Sequence, residues 1–203
     1  MTGTTGRVVL ATFNAHKAAE LSVLLRLPGL EFVPLSGFPA AGPVEEDGGT
    51  LEENAAKKAR AATLATGLWA LADDTGLEVR ALGGAPGVHS ARYAGEGCSF
   101  SDNNAKLLRA LEGLPAGARS ARFRCVMALS SPGGLVETAE GSLEGFILAA
   151  PRGAGGFGYD PLFLPAGLDR TLAELTPGEK NELSHRSAAV RAIRPLLGRL
   201  AGA

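Results

Sequence analysis

Residues 69–76 read Trp-Ala-Leu-Ala-Asp-Asp-Thr-Gly, an apolar run that delivers two adjacent carboxylates. Trp69 to Ala72 have the length and character of a buried strand, and Gly76 predicts a turn soon after it. Strand side chains alternate faces, so one of Asp73 and Asp74 is expected to face a cleft and the other the body of the protein. In open α/β sheets, ligands collect at the carboxyl ends of strands. Two neighbouring carboxylates there repel each other unless a cation or a donor lies between them. The pattern therefore points to a divalent metal or a general base. The plainer alternative is a turn with Asp at its favoured positions.

The 203-residue chain is long enough for one large domain or two small ones with a sizeable core. Its net charge of −1 provides no global basic field for nucleic acid. No run of about 18 apolar residues predicts a membrane span, and residues 1–6 are small and polar, without an apolar signal core. A cytoplasmic location follows as the expectation. Cys98 and Cys125 have no paired spacing, and His16, His89 and His185 are scattered. This argues against a disulfide framework and a zinc site, so any metal is expected to be hard and held by oxygen.

Along the chain, strands are expected at 7–12, 31–35, 69–72 and 77–81. Two helices fall between them. The first is capped by Asn14 and runs over 15–27; the second opens with the capping box Thr50-Leu-Glu-Glu53 and runs to about Thr66. A third helix is expected over 102–111, with Ser101 near its cap. Residues 121–129 alternate as a half-buried strand, 135–140 return as a hairpin partner, and 143–149 form another strand. A last helix, capped by Ser184, is expected to kink or stop at Pro195. The fold class predicted is α/β, a mixed sheet flanked by helices, with two lobes enclosing a central cleft.

Gly153-Ala-Gly155-Gly-Phe-Gly158 matches a dinucleotide fingerprint in letters only, because Tyr159-Asp160-Pro161 follows where a helix should open. No P-loop is present either. Thr12-Phe13-Asn14-Ala15-His16-Lys17 is more informative: it ends a strand and starts a helix, where backbone N–H groups and a lysine suit an anion. The alternative is a simple Asn cap with a surface lysine. Lys180, His185 and Arg186 form a cationic group that can donate to a phosphate or a base edge, or else a solvated helix start. Phe157, set among glycines, suits stacking on a nucleobase, or else anchors a loop in the core.

Taken together these segments resemble the inosine triphosphate pyrophosphatase family, also called XTP/dITP diphosphatases. Six elements over about residues 7–190 occur in the family's order. They are Thr12-x-Asn14-x-x-Lys17; Glu45-Glu46-Asp47-Gly48 with Glu53-Asn54-Ala55; Ala72-Asp73-Asp74-Thr75-Gly76-Leu77; Leu82 to Gly87 with Ser90 to Tyr93; Gly156-Phe157-Gly158-Tyr159-Asp160-Pro161; and Glu179-Lys180 with Ser184-His185-Arg186. Phe13 stands where the family commonly has glycine, and Thr75 replaces a common serine while keeping the hydroxyl.

The resemblance implies residues 1–203 as one domain with a nucleotide-binding cleft and no separable linker. It implies a cytoplasmic, magnesium-dependent homodimer acting on purine nucleoside triphosphates, with no nucleic-acid or membrane partner. Such a protein hydrolyses ITP, dITP and XTP to monophosphate and pyrophosphate, a house-cleaning of the nucleotide pool. By motif position Asp74 matches the general base, and Glu45 or Glu46 with Asp74 the metal ligands. Thr12, Phe13, Asn14, Ala15, His16 and Lys17 match the phosphate turn. Thr75, Phe157, Gly158, Tyr159, Asp160, Lys180, His185 and Arg186 match other substrate contacts. Two alternatives remain: a non-catalytic nucleotide- or RNA-binding module, or a pyrophosphatase for another modified nucleotide.

Overall fold

The computed structural model describes residues 6–201; the polar N-terminal stretch through residue 5 lies outside them. Among the described residues there are five α-helices and a seven-stranded mixed sheet. Strand β1 (Gly6–Leu10) pairs in parallel with β2 (Leu30–Pro34), a geometry that requires a crossover. Helix α1 (Ala15–Leu24) supplies it. Asn14 caps α1 by accepting from the N–H groups of His16 and Lys17. The helix ends three residues earlier than the pattern predicts. The Leu25 N–H closes its last turn on the Leu21 carbonyl, and Gly29 turns the chain at φ +83°.

Helix α2 (Leu51–Thr66) starts at Thr50, whose hydroxyl accepts from the Glu53 N–H, and stops at Gly67 in the left-handed region. It leads into β3 (Trp69–Val79), which pairs in parallel with β1, Val8 opposite Trp69 and Leu10 opposite Leu71. Here the expectation of two strands and a turn at Gly76 is corrected. The strand runs unbroken through Asp73, Asp74, Thr75 and Gly76. The polar residues do not end it because both carboxylates are buried against lysines, as shown below, so they carry no unpaired charge that would force the chain to solvent. Its second half pairs with the short β4 (Pro86–Gly87).

Helix α3 (Phe100–Ala110) begins two residues before the expected start. Its cap is Ser99, not Ser101, in a reciprocal capping box with Asp102. Strand β5 (Ser120–Ser130) follows. Strand β6 (Val136–Ile147) joins what read as two strands, and then β7 (Phe163–Pro165) pairs antiparallel with it. The strand order is β2-β1-β3-β5-β6-β7. A short helix not anticipated, α4 (Pro177–Leu183), opens with a Thr176–Glu179 capping box and Pro177 in its first turn. Helix α5 (His185–Ala201) then continues through Pro195. Burial of Ile193 and Leu197, on either side of the proline, in an apolar cluster keeps that helix intact despite the lost backbone bond.

The chain divides into two compact units. Among the described residues, unit 1 comprises 6–74, 125–141 and 187–201. Its core packs Val8, Leu10, Leu21, Leu71, Met127, Val190 and Ile193. Unit 2 comprises 75–124 and 142–186, with a core built on Leu77, Leu107, Phe123, Tyr159, Leu162 and Phe163. The division falls within β3, between Asp74 and Thr75.

Candidate active site

In unit 1, β1 and the cap of α1 bring Thr12, Asn14 and Lys17 to one turn. The Thr12 Oγ1 accepts from the Asn14 N–H at 3.1 Å. Because Asn14 already takes the N–H groups of His16 and Lys17, those two donors serve the cap. The lysine side chain contributes a charge of its own: its Nζ lies 3.0 Å from Asp73 Oδ2, with Lys17 15 % and Asp73 1 % exposed at the side chain. Asp73 also lies 3.9 Å from the Cys125 thiol on β5.

The next residue meets a different helix, as alternation along a strand requires. Lys58 of α2 places its Nζ 2.7 Å from Asp74 Oδ1 and 3.1 Å from Glu46 Oε1. The fully buried Asn54, one turn earlier on α2, accepts from the Gly48 N–H at 2.8 Å and directs its amide toward Asp74. The acidic loop is thereby fastened to the strand. Burial pushes the Asp74 carboxyl above the usual carboxylate range, against the pull of Lys58 and Lys17. Burial works in the other direction on Lys58, but Asp74, Asp73 and Glu46 outweigh it and hold the ammonium above its ordinary value.

The donor set suits a hard divalent cation. Two carboxylate oxygens, from Glu46 and Asp74, already converge on one ammonium, so both are within reach of a single cation. Oxygen ligands are what magnesium selects, and it commonly uses only one or two carboxylates. Glu45, by contrast, is exposed. Among the described residues no three His, Cys, Asp or Glu side chains gather as a metal cage. Of the acidic pair, Glu46 is the residue seen to share Lys58 with Asp74.

Unit 2 assembles a second set. Asp160 accepts from Lys180 Nζ at 2.6 Å and from the Phe157 N–H at 2.9 Å. Gly156 permits this turn: its φ is +68°, and a Cβ there would overlap the Asp160 carboxylate. The half-buried Phe157 ring carries Lys180 Nζ at 4.8 Å and Arg186 Cζ at 5.8 Å from its centroid, both within range of cation–π attraction. Arg186, 1 % exposed, donates to Thr75 Oγ1 at 3.1 Å. His185 is buried and stacks on Phe123, centroids 4.6 Å apart.

The structure separates the expected residues into groups. Thr12, Asn14, Lys17, Glu46 and Asp74 belong to unit 1, and Thr75, Phe157, Asp160, Lys180 and Arg186 to unit 2; within unit 1, Glu46 and Asp74 share Lys58, and Lys17 meets Asp73. The Tyr159 side chain is engaged elsewhere. Its ring lies in the core, its hydroxyl donates to the Ser90 carbonyl at 2.9 Å, and burial pushes its phenol pKa up. Phe13, 57 % exposed, and the exposed Ala15 and His16 leave only backbone or surface contacts at the turn. Gly158 accepts from Asn104 at its carbonyl. Lys58 and Asn54 were not anticipated as site residues. A signal for them existed: they lie at i and i+4 on the helix opened by Thr50, directly after the acidic loop.

Unit 1 thus holds carboxylates paired with deeply seated lysines, and unit 2 an aromatic ring with two cations near its face. Residues 8–196 match the Ham1 family, and the chain belongs to that family. It is 53 % identical over 194 residues to the dITP/XTP pyrophosphatase of Desulforamulus reducens, with 96 % of each chain covered. It is also 53 % identical to the dITP/XTP pyrophosphatase of Geobacter sulfurreducens, over 95 % of this chain and 96 % of that one. The HAM1 protein of Coxiella burnetii superposes with a TM-score of 0.87 at 44 % identity, over 96 % of this chain and 99 % of that one.

Proposed function

We propose that this chain is a nucleoside triphosphate pyrophosphatase that hydrolyses dITP, XTP and ITP to the monophosphate and pyrophosphate. The observation that carries the reading is the convergence of the Glu46 and Asp74 carboxylates on Lys58, beside a Lys17 held by Asp73. The relatives' shared activity supports it.

Glu46 and Asp74 would hold the divalent cation, which we take to be magnesium. When bound, it supplies positive charge that lowers repulsion toward a triphosphate. Lys17 and Lys58 bind phosphate oxygens from fixed positions, at small entropic cost because their carboxylate partners already restrain them. Asp74 accepts the proton of the attacking water. Burial raises its pKa, which makes it a stronger base than a solvated carboxylate. Phosphorus is attacked by water at the α-position and pyrophosphate leaves, so no covalent nucleophile is required.

In unit 2 Phe157 stacks on the base. Arg186 and Lys180 are donors, and a 6-oxo purine presents an acceptor where adenine presents an amino donor. A buried donor left facing adenine costs about 1–3 kcal/mol, so a few such contacts produce a large preference. Supported by the family alone, the reading extends to a cytoplasmic homodimer. No helix of the described residues is long and apolar enough to cross a membrane.

The test is pyrophosphate release from ITP, XTP, dITP, GTP and ATP, with magnesium and with excess chelator. The expected result is turnover of the first three in strong preference to ATP, lost on chelation. Binding without turnover would replace the enzyme by a nucleotide-binding module, and full activity under chelation would remove the metal.

A further inference from the structure

A large apolar side chain left in solvent at a helix start needs an explanation when its neighbours form a binding surface. Phe100 is the first residue of α3 and is 43 % exposed. Its ring centroid lies 6.1 Å from that of Phe157, with the two planes at 44°. The distance is within the range of a tilted aromatic pair.

The two rings are held in register from both sides. The Ser99–Asp102 capping box sets the first turn of α3: the Ser99 N–H donates to Asp102 Oδ2 at 2.9 Å and the Asp102 N–H to Ser99 Oγ at 3.2 Å. One turn on, at the i+4 position from Phe100, Asn104 donates its amide to the Gly158 carbonyl at 3.0 Å. Helix α3 is therefore fastened to the residue next to Phe157. Cations at 4.8 Å and 5.8 Å attend the Phe157 ring, and the partly exposed Phe100 adds aromatic surface beside it.

We infer that Phe100 is a second wall of the base site, contacting the face or edge of a purine stacked on Phe157 and favouring a two-ring base over a one-ring base. The inference rests on the reading that Phe157 carries the base. A purine presents more apolar face than a pyrimidine, so it gains more from an aromatic wall beyond the first ring. Phe100 touches nothing that reacts, so its effect falls on substrate binding.

The experiment compares Phe100→Ala, Phe100→Leu, Phe100→Tyr and Phe157→Ala with wild type, measuring kcat and KM for ITP and for UTP, and Tm. Phe100→Ala is expected to raise KM for ITP by about five- to tenfold, the size of a partial stacking contact, and to change UTP less. Tyr should restore the wild-type KM and Leu should not. Unchanged ITP kinetics in Phe100→Ala, equal losses for ITP and UTP, or full rescue by Leu would each overturn the inference. If Phe157→Ala raises KM while Phe100→Ala does not, only this inference fails. If neither changes KM, the placement of the base on Phe157 fails with it.

Discussion

Lys58 Nζ lies 2.7 Å from Asp74 Oδ1 while the same ammonium lies 3.1 Å from Glu46 Oε1, so one lysine neutralises the two carboxylates assigned here to a divalent cation. Removing it should expose their mutual repulsion. Lys58→Met is expected to lower the unfolding free energy of the metal-free protein by about 1–3 kcal/mol. Magnesium should then raise the Tm of the variant more than that of the wild type. Thermal unfolding with and without the ion measures both, and an equal magnesium increment in the two proteins would remove Glu46 and Asp74 as its ligands.

Asp73 and Asp74 should differ sharply despite being neighbours. Asp74→Asn takes away the proton acceptor, and kcat should fall by at least about 100-fold while a non-hydrolysable triphosphate analogue still binds. Asp73→Asn releases Lys17 from its partner, so its main effect should be a higher KM. Steady-state kinetics with calorimetric binding separates the two, and matching kinetic defects would show that they act as one unit.

Gly156→Ala places a methyl group against the Asp160 carboxylate at a φ of +68°. The expected cost is about 1–3 kcal/mol of stability, seen in denaturant melts. Loss of the Asp160–Lys180 geometry should weaken nucleotide binding as well. A variant of wild-type stability would mean that the loop relaxes freely.

Arg186→Met tests discrimination. The kcat/KM ratio of ITP to ATP should shrink by about tenfold, because only the 6-oxo base accepts the lost hydrogen bond. An equal fall for both nucleotides would make Arg186 a structural or phosphate contact.

Acid stability should show the Thr176–Glu179 cap. The Arg170 guanidinium, together with the Thr176 backbone and hydroxyl, lowers the Glu179 carboxyl from its usual 4.5 to about 2. A depressed carboxylate stabilises the fold above its unfolded pKa, and that contribution is lost as pH falls through the folded one. The stability difference between wild type and Glu179→Gln should therefore be constant above pH 4.5 and shrink between there and about 2. A difference that does not change across that window would assign the titration elsewhere.

The parts legible in the sequence were those carried by local rules. Caps at Asn14 and Thr50, the alternation of β5 and the apolar run at Trp69 belong to this group. What stayed hidden depended on partners distant in sequence. Gly76 reads as a turn until the lysines from α1 and α2 are seen to bury Asp73 and Asp74 within a continuous strand. Pro195 reads as a helix end until the burial of Ile193 and Leu197 is known. Glu45 and Glu46 are equivalent as letters, and only the contact of Glu46 with Lys58, 12 residues further on in helix α2, distinguishes them. Tyr159 belongs to a motif of ligand contacts, but its hydroxyl is taken by Ser90.

The burial of adjacent carboxylates within β3 also bears on how such a chain can vary over time. Each apolar residue from Trp69 to Ala72 could be exchanged for another of similar volume, because packing tolerates such swaps. Adding or deleting one residue there is a different event. The strand repeat of two would turn Asp73 toward Lys58 and Asp74 toward Lys17, and would reverse every other side chain beyond them. The length of this segment is thus under stricter constraint than its lettering, and insertions should be confined to loops such as 36–44 that carry no register.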